Sequence, residues 1–348
     1  MSKFRVAITD DMLKADGSLS FADFDLSPLD GPHVEHFFVP ARPDGVVPES
    51  LNDADALILL LPPFGAASIP ANGRLALVAR FGVGYDNVDV AACTANHVAL
   101  VNTPQAVRRP VSVMALTFIF ALSQKLLVKN ALGHGGAERW AKRVDHMGMG
   151  LVGRTVGIVG FGGIAREFVS VAAPFDMRFI AHDPYVDPAE AAQRGVTLVD
   201  KETLFRESDF VVVLCLLNEG TRGLVDSQAI GWMKRSAYLI NVARGPIVDQ
   251  AALAAALNER RIAGAALDVL DREPPDADDP ILACDNAIIT PHALSWTDQM
   301  FANIGGNDVD AALAVMHGRL PEGLVNREVA DDPVWRAKLD AYGVRYGR

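Results

Sequence analysis

Short runs of uninterrupted apolar residues alternate with stretches of helical periodicity along most of the chain. Residues 56–61, 75–79, 156–159, 179–181, 210–217, 238–242, 263–267 and 287–289 have strand length. They are apolar throughout instead of alternating with polar residues. Strands covered on both faces read this way, as in a parallel sheet with crossover helices. The first nine residues read as one more strand and contain no long apolar core of the signal-peptide kind. Between the runs lie helical segments. Residues 249–261 form one, alanine-rich, with Asp249 placed to cap its first turn. The Pro/Asp-rich stretch 273–280 is too short for a domain linker and reads as a loop.

Composition narrows the class. The chain has 348 residues, half of them hydrophobic, and a formal net charge of −11. That balance fits a packed globular protein, and the length predicts two domains. The acidity excludes a basic nucleic-acid footprint and gives no attraction to anionic lipid. The most apolar helical stretch, 111–122, is shorter than the roughly 18 residues of a membrane span and carries Ser112 and Thr117. Neither nucleic acid nor membrane is therefore an expected partner. The three cysteines, Cys93, Cys215 and Cys284, are far apart and form no CxxC or zinc spacing. A reducing, cytoplasmic setting is expected, and no metal site. His33 and His36, three residues apart, lack an evident third ligand.

The clearest local signal is Arg154-Thr-Val-Gly-Ile-Val-Gly160-Phe-Gly162-Gly163-Ile164-Ala165. An apolar strand ends at Gly160, a glycine turn follows, and a helix begins, in the pattern G-x-G-x-x-A. Gly160 permits the tight turn, and Gly162 lets a pyrophosphate approach the backbone. Ala165 lets helix and strand pack closely, and the helix N-terminus faces the phosphates. Gly163 and Ile164 lie in the same turn and are expected to line the cofactor. A second apolar strand ends in Asp183, 18 residues beyond Ala165, near the spacing of a ribose-binding carboxylate. With Pro184 and Tyr185 after it instead of arginine, NAD is favoured over NADP.

Three later segments place polar groups just past apolar strands, where parallel sheets bind ligands. They are Tyr238-Leu-Ile-Asn-Val242-Ala243-Arg244-Gly-Pro-Ile-Val-Asp249, then Gly264-Ala-Ala-Leu-Asp268-Val-Leu-Asp-Arg-Glu273-Pro, then Thr290-Pro291-His292. Together with Arg80-Phe-Gly-Val83-Gly84-Tyr-Asp-Asn-Val-Asp89 and Val101-Asn-Thr-Pro104, this series resembles the D-isomer-specific 2-hydroxyacid dehydrogenase family. The resemblance covers most of residues 75–296, in order. It implies an NAD-dependent oxidoreductase acting on CH–OH donors. The substrate would be a small D-2-hydroxy acid or its 2-oxo acid, of the glyoxylate, hydroxypyruvate or phosphohydroxypyruvate type.

The same resemblance implies roles. Arg244 would bind the substrate carboxylate, a task suited to a planar fork of donors. The backbone N–H groups at Val83 and Gly84 would hold the same carboxylate. His292 would give a proton to the carbonyl in reduction and take one in oxidation, with Glu273 orienting it and favouring its charged form. Val242, Ala243 and Asp268 would join the cofactor residues, Asp268 at the nicotinamide carboxamide.

The resemblance also implies architecture. Two doubly wound α/β lobes with parallel sheets are expected. A Rossmann NAD-binding lobe, residues 105–296, would be inserted into a flavodoxin-like substrate (catalytic) lobe made of residues 1–104 and 297–348. Residues 111–127 read as one apolar helix between the Thr-Pro turn and the fingerprint, and relatives dimerise through this region from Val111 to Leu127, which predicts a homodimer.

Departures from the family pattern are few. Arg108 and Arg109 stand where small or acidic residues are commoner. Arg109, or Arg108, is a candidate contact for a second anionic group on the substrate or cofactor; the alternative is a solvated helix start with Pro110 near its first turn. Arg260 replaces the usual glycine after the 249–261 helix. Trp296 could wall a substrate pocket or simply pack in a core. An NAD-sensing binding protein of corepressor type is the alternative function. Formate oxidation is disfavoured, because formate enzymes carry glutamine where Glu273 stands.

Overall fold

The apolar runs form two parallel sheets, one in each of two units of the chain. The computed structural model describes residues 3–347. Its units are Met1–Val107 with Trp296–Arg348, and Arg108–Ser295.

In the first unit, β1 (Phe4–Thr9), β2 (Val34–Val39), β5 (Ala56–Leu59), β6 (Leu77–Arg80) and β7 (Ala99–Val101) form a sheet ordered β2-β1-β5-β6-β7. A short antiparallel pair, β3 (Ala41–Arg42) with β4 (Gly45–Val46), stands apart. The ladders of the main sheet are all parallel. The C-terminal segment completes this unit through specific bonds. The buried Trp335 donates its indole N–H to the Ala76 carbonyl at 2.8 Å. Asn326, also buried, accepts from the Leu100 N–H at 2.8 Å and donates to the Val98 carbonyl at 3.0 Å. The Asn326 bonds pair groups on and beside β7, an edge strand, and the Trp335 bond adds a second donor to a carbonyl that already accepts from the Ala99 N–H.

The second unit contains β8 (Thr155–Val159), β9 (Arg178–His182), β10 (Val196–Leu198), β11 (Phe210–Val213), β12 (Tyr238–Asn241), β13 (Gly264–Leu267) and β14 (Ala287–Ile289). Their order is β10-β9-β8-β11-β12-β13-β14, again with parallel ladders. Successive residues feed opposite faces: Phe210 and Val212 enter one core, Val211 and Val213 the other. This is why the strands read as continuous apolar runs. Strand order reverses between β8 and β11, the switch point where such sheets bind ligands.

Some boundaries differ from the sequence expectation. The run 210–217 is strand only over its first half; Leu216 is 49% exposed, and the Thr221 hydroxyl closes a turn onto its carbonyl at 2.6 Å. The strands β2 and β10 lack an apolar signature because they are sheet edges, less covered than the centre. Asp249 caps its helix, accepting from the Ala252 N–H at 2.9 Å, and Arg260 takes the left-handed conformation after it (φ 53°) that glycine usually supplies.

The stretch 111–127 is not one helix. A helix runs over Pro104–Ser123, with Pro110 inside it, and the chain turns at Lys125 (φ 52°) into a second helix, Leu126–Gly133. By length and composition the first is long and apolar enough to cross a membrane, but 61% of its most apolar window is buried inside the protein. Met114, Ala115, Phe118, Ile119 and Leu122 lie in a core of the second unit.

Asp308, on the helix Asp298–Met316, is fully buried, and neither carboxylate oxygen has a hydrogen-bond partner. Burial pushes its pKa well above the ordinary carboxylate value, with Arg80 opposing. The folded protein therefore keeps a proton that the unfolded chain releases. Stability falls as pH rises from the unfolded value, about 4, towards the folded one. Asp308→Asn is expected to flatten this fall between pH 5 and pH 8 in urea titrations. An unchanged pH slope would contradict it.

Candidate active site

In the second unit the fingerprint turn is built as the glycines require. Gly160 follows β8 with φ 87°, and a Cβ there would lie 2.5 Å from the Cys215 Cβ. The two loops at the switch point thus meet back to back, with no room for a side chain. Gly162 caps the helix Gly163–Ala172 and has open space where a Cβ would point. Ala165 is fully buried against the sheet. Asp183 follows β9 and accepts from the Phe161 N–H at 2.8 Å and the Tyr185 N–H at 2.9 Å. The carboxylate therefore ties the glycine turn to the strand expected to hold a ribose. An open helix N-terminus beside a carboxylate fits a dinucleotide. Ile164 presents its carbonyl to the Ser112 hydroxyl at 3.1 Å.

Past β12, Asn241 organises the next turn. Its side chain donates to the Arg244 carbonyl at 2.9 Å and accepts from the Ala243 N–H at 3.1 Å. Val242 is buried, and the Arg244 guanidinium donates to the Ala243 carbonyl at 2.8 Å. After β13, the buried Asp268 accepts from the N–H groups of Ala293 and Leu294, both at 3.1 Å, and from the Thr290 hydroxyl. One of its oxygens thereby holds the turn that carries His292.

His292 lies just past β14 with φ 54°, an uncommon conformation for a residue with a side chain. That backbone setting aims its ring at Glu273. Nδ1 of His292 stands 2.7 Å from Oε2 of Glu273, whose other oxygen accepts from the Leu270 N–H at 2.9 Å. The ring is 46% exposed and the carboxylate 38%, so Nε2 is left to meet a ligand. Burial opposes ionisation of Glu273. The hydrogen bond and charge of His292, the Leu270 N–H and the charge of Arg244 outweigh it and hold the carboxyl below its usual range. Arg244, Glu273 and His292 are thus brought together electrostatically.

In the first unit, the loop after β6 is fixed through its carbonyls. Asn102 donates to the Val83 carbonyl at 2.7 Å, and the Thr103 N–H to the Gly82 carbonyl at 3.0 Å. Gly82 has φ 122°, and a Cβ there would strike the Arg80 guanidinium. Among the described residues, the N–H groups of Val83 and Gly84 have no partner, although Gly84 is buried. Unpaired buried donors are rare and mark a place for an acceptor. Nothing in the sequence pattern singled out Asn102 or Thr103 as the residues that aim this loop.

Arg109 lies on the surface, ion-paired with Glu167 at 2.5 Å, and its side chain is 64% exposed. Trp296, 52% exposed, packs edge-on against Phe21 and Phe301 at 5.6 and 5.3 Å. The three thiols are free; burial pushes Cys93 up to about 12 and Cys215 up to about 11, so neither is a ready nucleophile. Among the described residues, no group of three His, Cys, Asp or Glu is placed to hold a metal ion.

Comparison with known proteins places the chain in a family. Residues 116–293 match the family described as D-isomer specific 2-hydroxyacid dehydrogenase, NAD binding domain. A glyoxylate reductase of Korarchaeum cryptofilum is 35% identical over 286 residues, 82% of this chain and 86% of the relative. A D-3-phosphoglycerate dehydrogenase of Methanocaldococcus jannaschii is 34% identical over 280 residues, 80% of this chain but 53% of that protein. Among solved structures, the TT0316 protein of Thermus thermophilus superposes with a TM-score of 0.81 at 27% identity, covering 92% of this chain and 100% of that one.

Proposed function

Because the chain belongs to the D-isomer specific 2-hydroxyacid dehydrogenase family of nicotinamide-dependent oxidoreductases, we propose that it interconverts a small D-2-hydroxy acid and its 2-oxo acid, with NAD(H) as cofactor and His292 as acid and base. The observation that carries this reading is the His292–Glu273 pair, 2.7 Å apart on a turn held by Asp268.

The chemistry follows from residue types. The bound nicotinamide supplies or accepts the hydride. In the second unit Arg244 binds the substrate carboxylate and polarises the neighbouring oxygen. In the first unit the N–H groups of Val83 and Gly84 are carboxylate donors, as the family resemblance implies. His292 Nε2 gives the carbonyl oxygen its proton in reduction and removes it in oxidation. Glu273, hydrogen-bonded to Nδ1, fixes the ring and balances its positive charge. The second unit carries the cofactor residues Gly160, Gly162, Gly163, Ile164, Asp183, Val242, Ala243 and Asp268; the first carries the substrate-binding loop. Arg109 would have to leave Glu167 to meet a second anionic group on the substrate.

Asp183 supports NAD over NADP, since a carboxylate there accepts from ribose hydroxyls and repels a 2′-phosphate. Asp183→Ala is expected to shift the NADPH:NADH ratio of kcat/KM by about tenfold toward NADPH, the equivalent of one charge-assisted hydrogen bond. No change in that ratio would count against the assignment. Exposed apolar side chains on two successive helices, Val113 on the first and Leu126, Leu127 and Val128 on the second, support a homodimer formed through the 111–127 region. The cytoplasm is the compartment we infer.

The deciding experiment is a screen of the purified protein with NADH against glyoxylate, hydroxypyruvate, pyruvate, longer 2-oxo acids and phosphohydroxypyruvate. Oxidation of NADH with one of the small acids is expected. Tight NADH binding without turnover on any of them would replace this reading with that of a cofactor-sensing binding protein.

A further inference from the structure

We propose that Arg108 is a cofactor-binding residue that reaches the pyrophosphate from outside the fingerprint turn. The inference rests on the dinucleotide reading above. Arg108 precedes the fingerprint by some fifty residues in sequence, yet its guanidinium lies on the first residue of the fingerprint helix. A Cβ at Gly163 would stand 2.7 Å from its Nε and 3.0 Å from its Cζ. The side chain therefore fills the space that a residue other than glycine would take. Ser112, one turn further on, bonds both the Arg108 carbonyl (2.7 Å) and the Ile164 carbonyl (3.1 Å). That pins the third turn of the helix Pro104–Ser123 to the first turn of the fingerprint helix and makes the placement of Arg108 a property of packing.

The electrostatics point to a missing anion. A helix N-terminus carries partial positive charge, so a cation held there is repelled unless an acid offsets it. The neighbouring arginines have such acids: Arg109 pairs with Glu167 and Arg166 with Glu190 at 2.9 Å. Among the described residues, the Arg108 guanidinium has neither a hydrogen bond nor an ion pair. It borders a recess of about 260 Å³ that is also lined by Gly163, Arg166, Glu167, Ser170 and Arg194; the acid there is the one already paired with Arg109, so three arginines face one carboxylate. A half-buried cation in an acidic protein, set against a positive helix end with its donors unused, is matched by a phosphate diester lying across the glycine turn.

The test separates pyrophosphate from the rest of the cofactor. Dissociation constants of NADH, ADP-ribose and adenosine are measured by equilibrium titration on the wild-type protein, Arg108→Ala and Arg108→Lys. Arg108→Ala is expected to weaken NADH and ADP-ribose about tenfold and leave adenosine unchanged, while Arg108→Lys recovers part of the loss. The unliganded alanine variant is expected to melt no lower than wild type, because the removed cation was repelled, yet to gain less Tm on adding NADH. Equal ADP-ribose affinity in wild type and Arg108→Ala overturns the proposal. So does an equal loss for adenosine and ADP-ribose, which marks a structural effect. Failure of the wild-type protein to bind NADH at all overturns the dinucleotide reading itself, and this proposal with it.

Discussion

His292→Ala is expected to slow 2-oxo acid reduction by about a thousandfold while leaving the dissociation constant of NADH unchanged, the range that loss of a positioned general acid produces. The carbonyl oxygen gains negative charge as hydride arrives, and without His292 only water can supply the proton. Nothing in the second unit offers a substitute at that turn: Asp268 is committed to holding it, and Glu273 is held ionised by its partners. Glu273→Gln serves as the companion variant. An amide oxygen can still accept from Nδ1, so the ring stays oriented, but the charge that balances it is lost. A drop of about tenfold to a hundredfold is expected there, smaller than for His292→Ala. The pH dependence carries a definite sign. Because the Glu273 carboxyl titrates below its ordinary range, the wild-type pair survives as pH falls through that range and is lost only beneath it. Removing the carboxylate should therefore remove the lowest-pH limb of the wild-type profile. Near-wild-type turnover in His292→Ala, measured by stopped-flow NADH oxidation, would falsify the assigned acid and base.

Arg244→Lys is expected to lower kcat/KM for the 2-oxo acid by about a hundredfold or more, again with NADH affinity intact. A lysine retains the charge but not the fork of donors, and it is too short and too mobile to take a carboxylate and its neighbouring oxygen together. Asn241 holds the turn through the Arg244 carbonyl and the Ala243 N–H, and the guanidinium adds its bond to the Ala243 carbonyl. The variant should consequently fold, with a melting temperature lowered by a few degrees at most. Steady-state kinetics with a monoacid check the claim. A loss confined to kcat, with KM unchanged, would mean that Arg244 acts on the transition state without anchoring the substrate.

Much of this fold was legible in the chain because a parallel sheet covered on both faces demands apolar residues at every position, and such runs are easy to see. The edges were less so. The strand β2 carries Glu35 and His36 because an edge is only partly covered, and its pattern therefore resembles a loop. The helical stretch 111–127 misled for a related reason: composition marks apolar residues but not where the axis turns, and the break at Lys125 is a backbone conformation.

The candidate site divides in the same way. The glycine turn and the acid at the end of the next strand, Asp183, have a spacing that can be read along the chain, whereas Arg244, Glu273 and His292 became candidates only through the family resemblance. Which groups touch could not be read there. That His292 sits in a left-handed turn facing Glu273, and that Asp268 holds that turn, depends on two neighbouring strands, β13 and β14, ending side by side. The same holds for Asn102 and Thr103, which fix the loop bearing Val83 and Gly84. Arg108 is the sharpest case: the sequence marks it as unusual, but only packing sets its guanidinium on Gly163. The sequence by itself determined the interior strands of both sheets, the two-unit α/β class and the chemical types on offer, since these follow from local composition and period. The tertiary structure alone decided which buried groups are paired and which are left waiting for a ligand. Pairing is a matter of distances between residues far apart in the chain, and local pattern does not encode them.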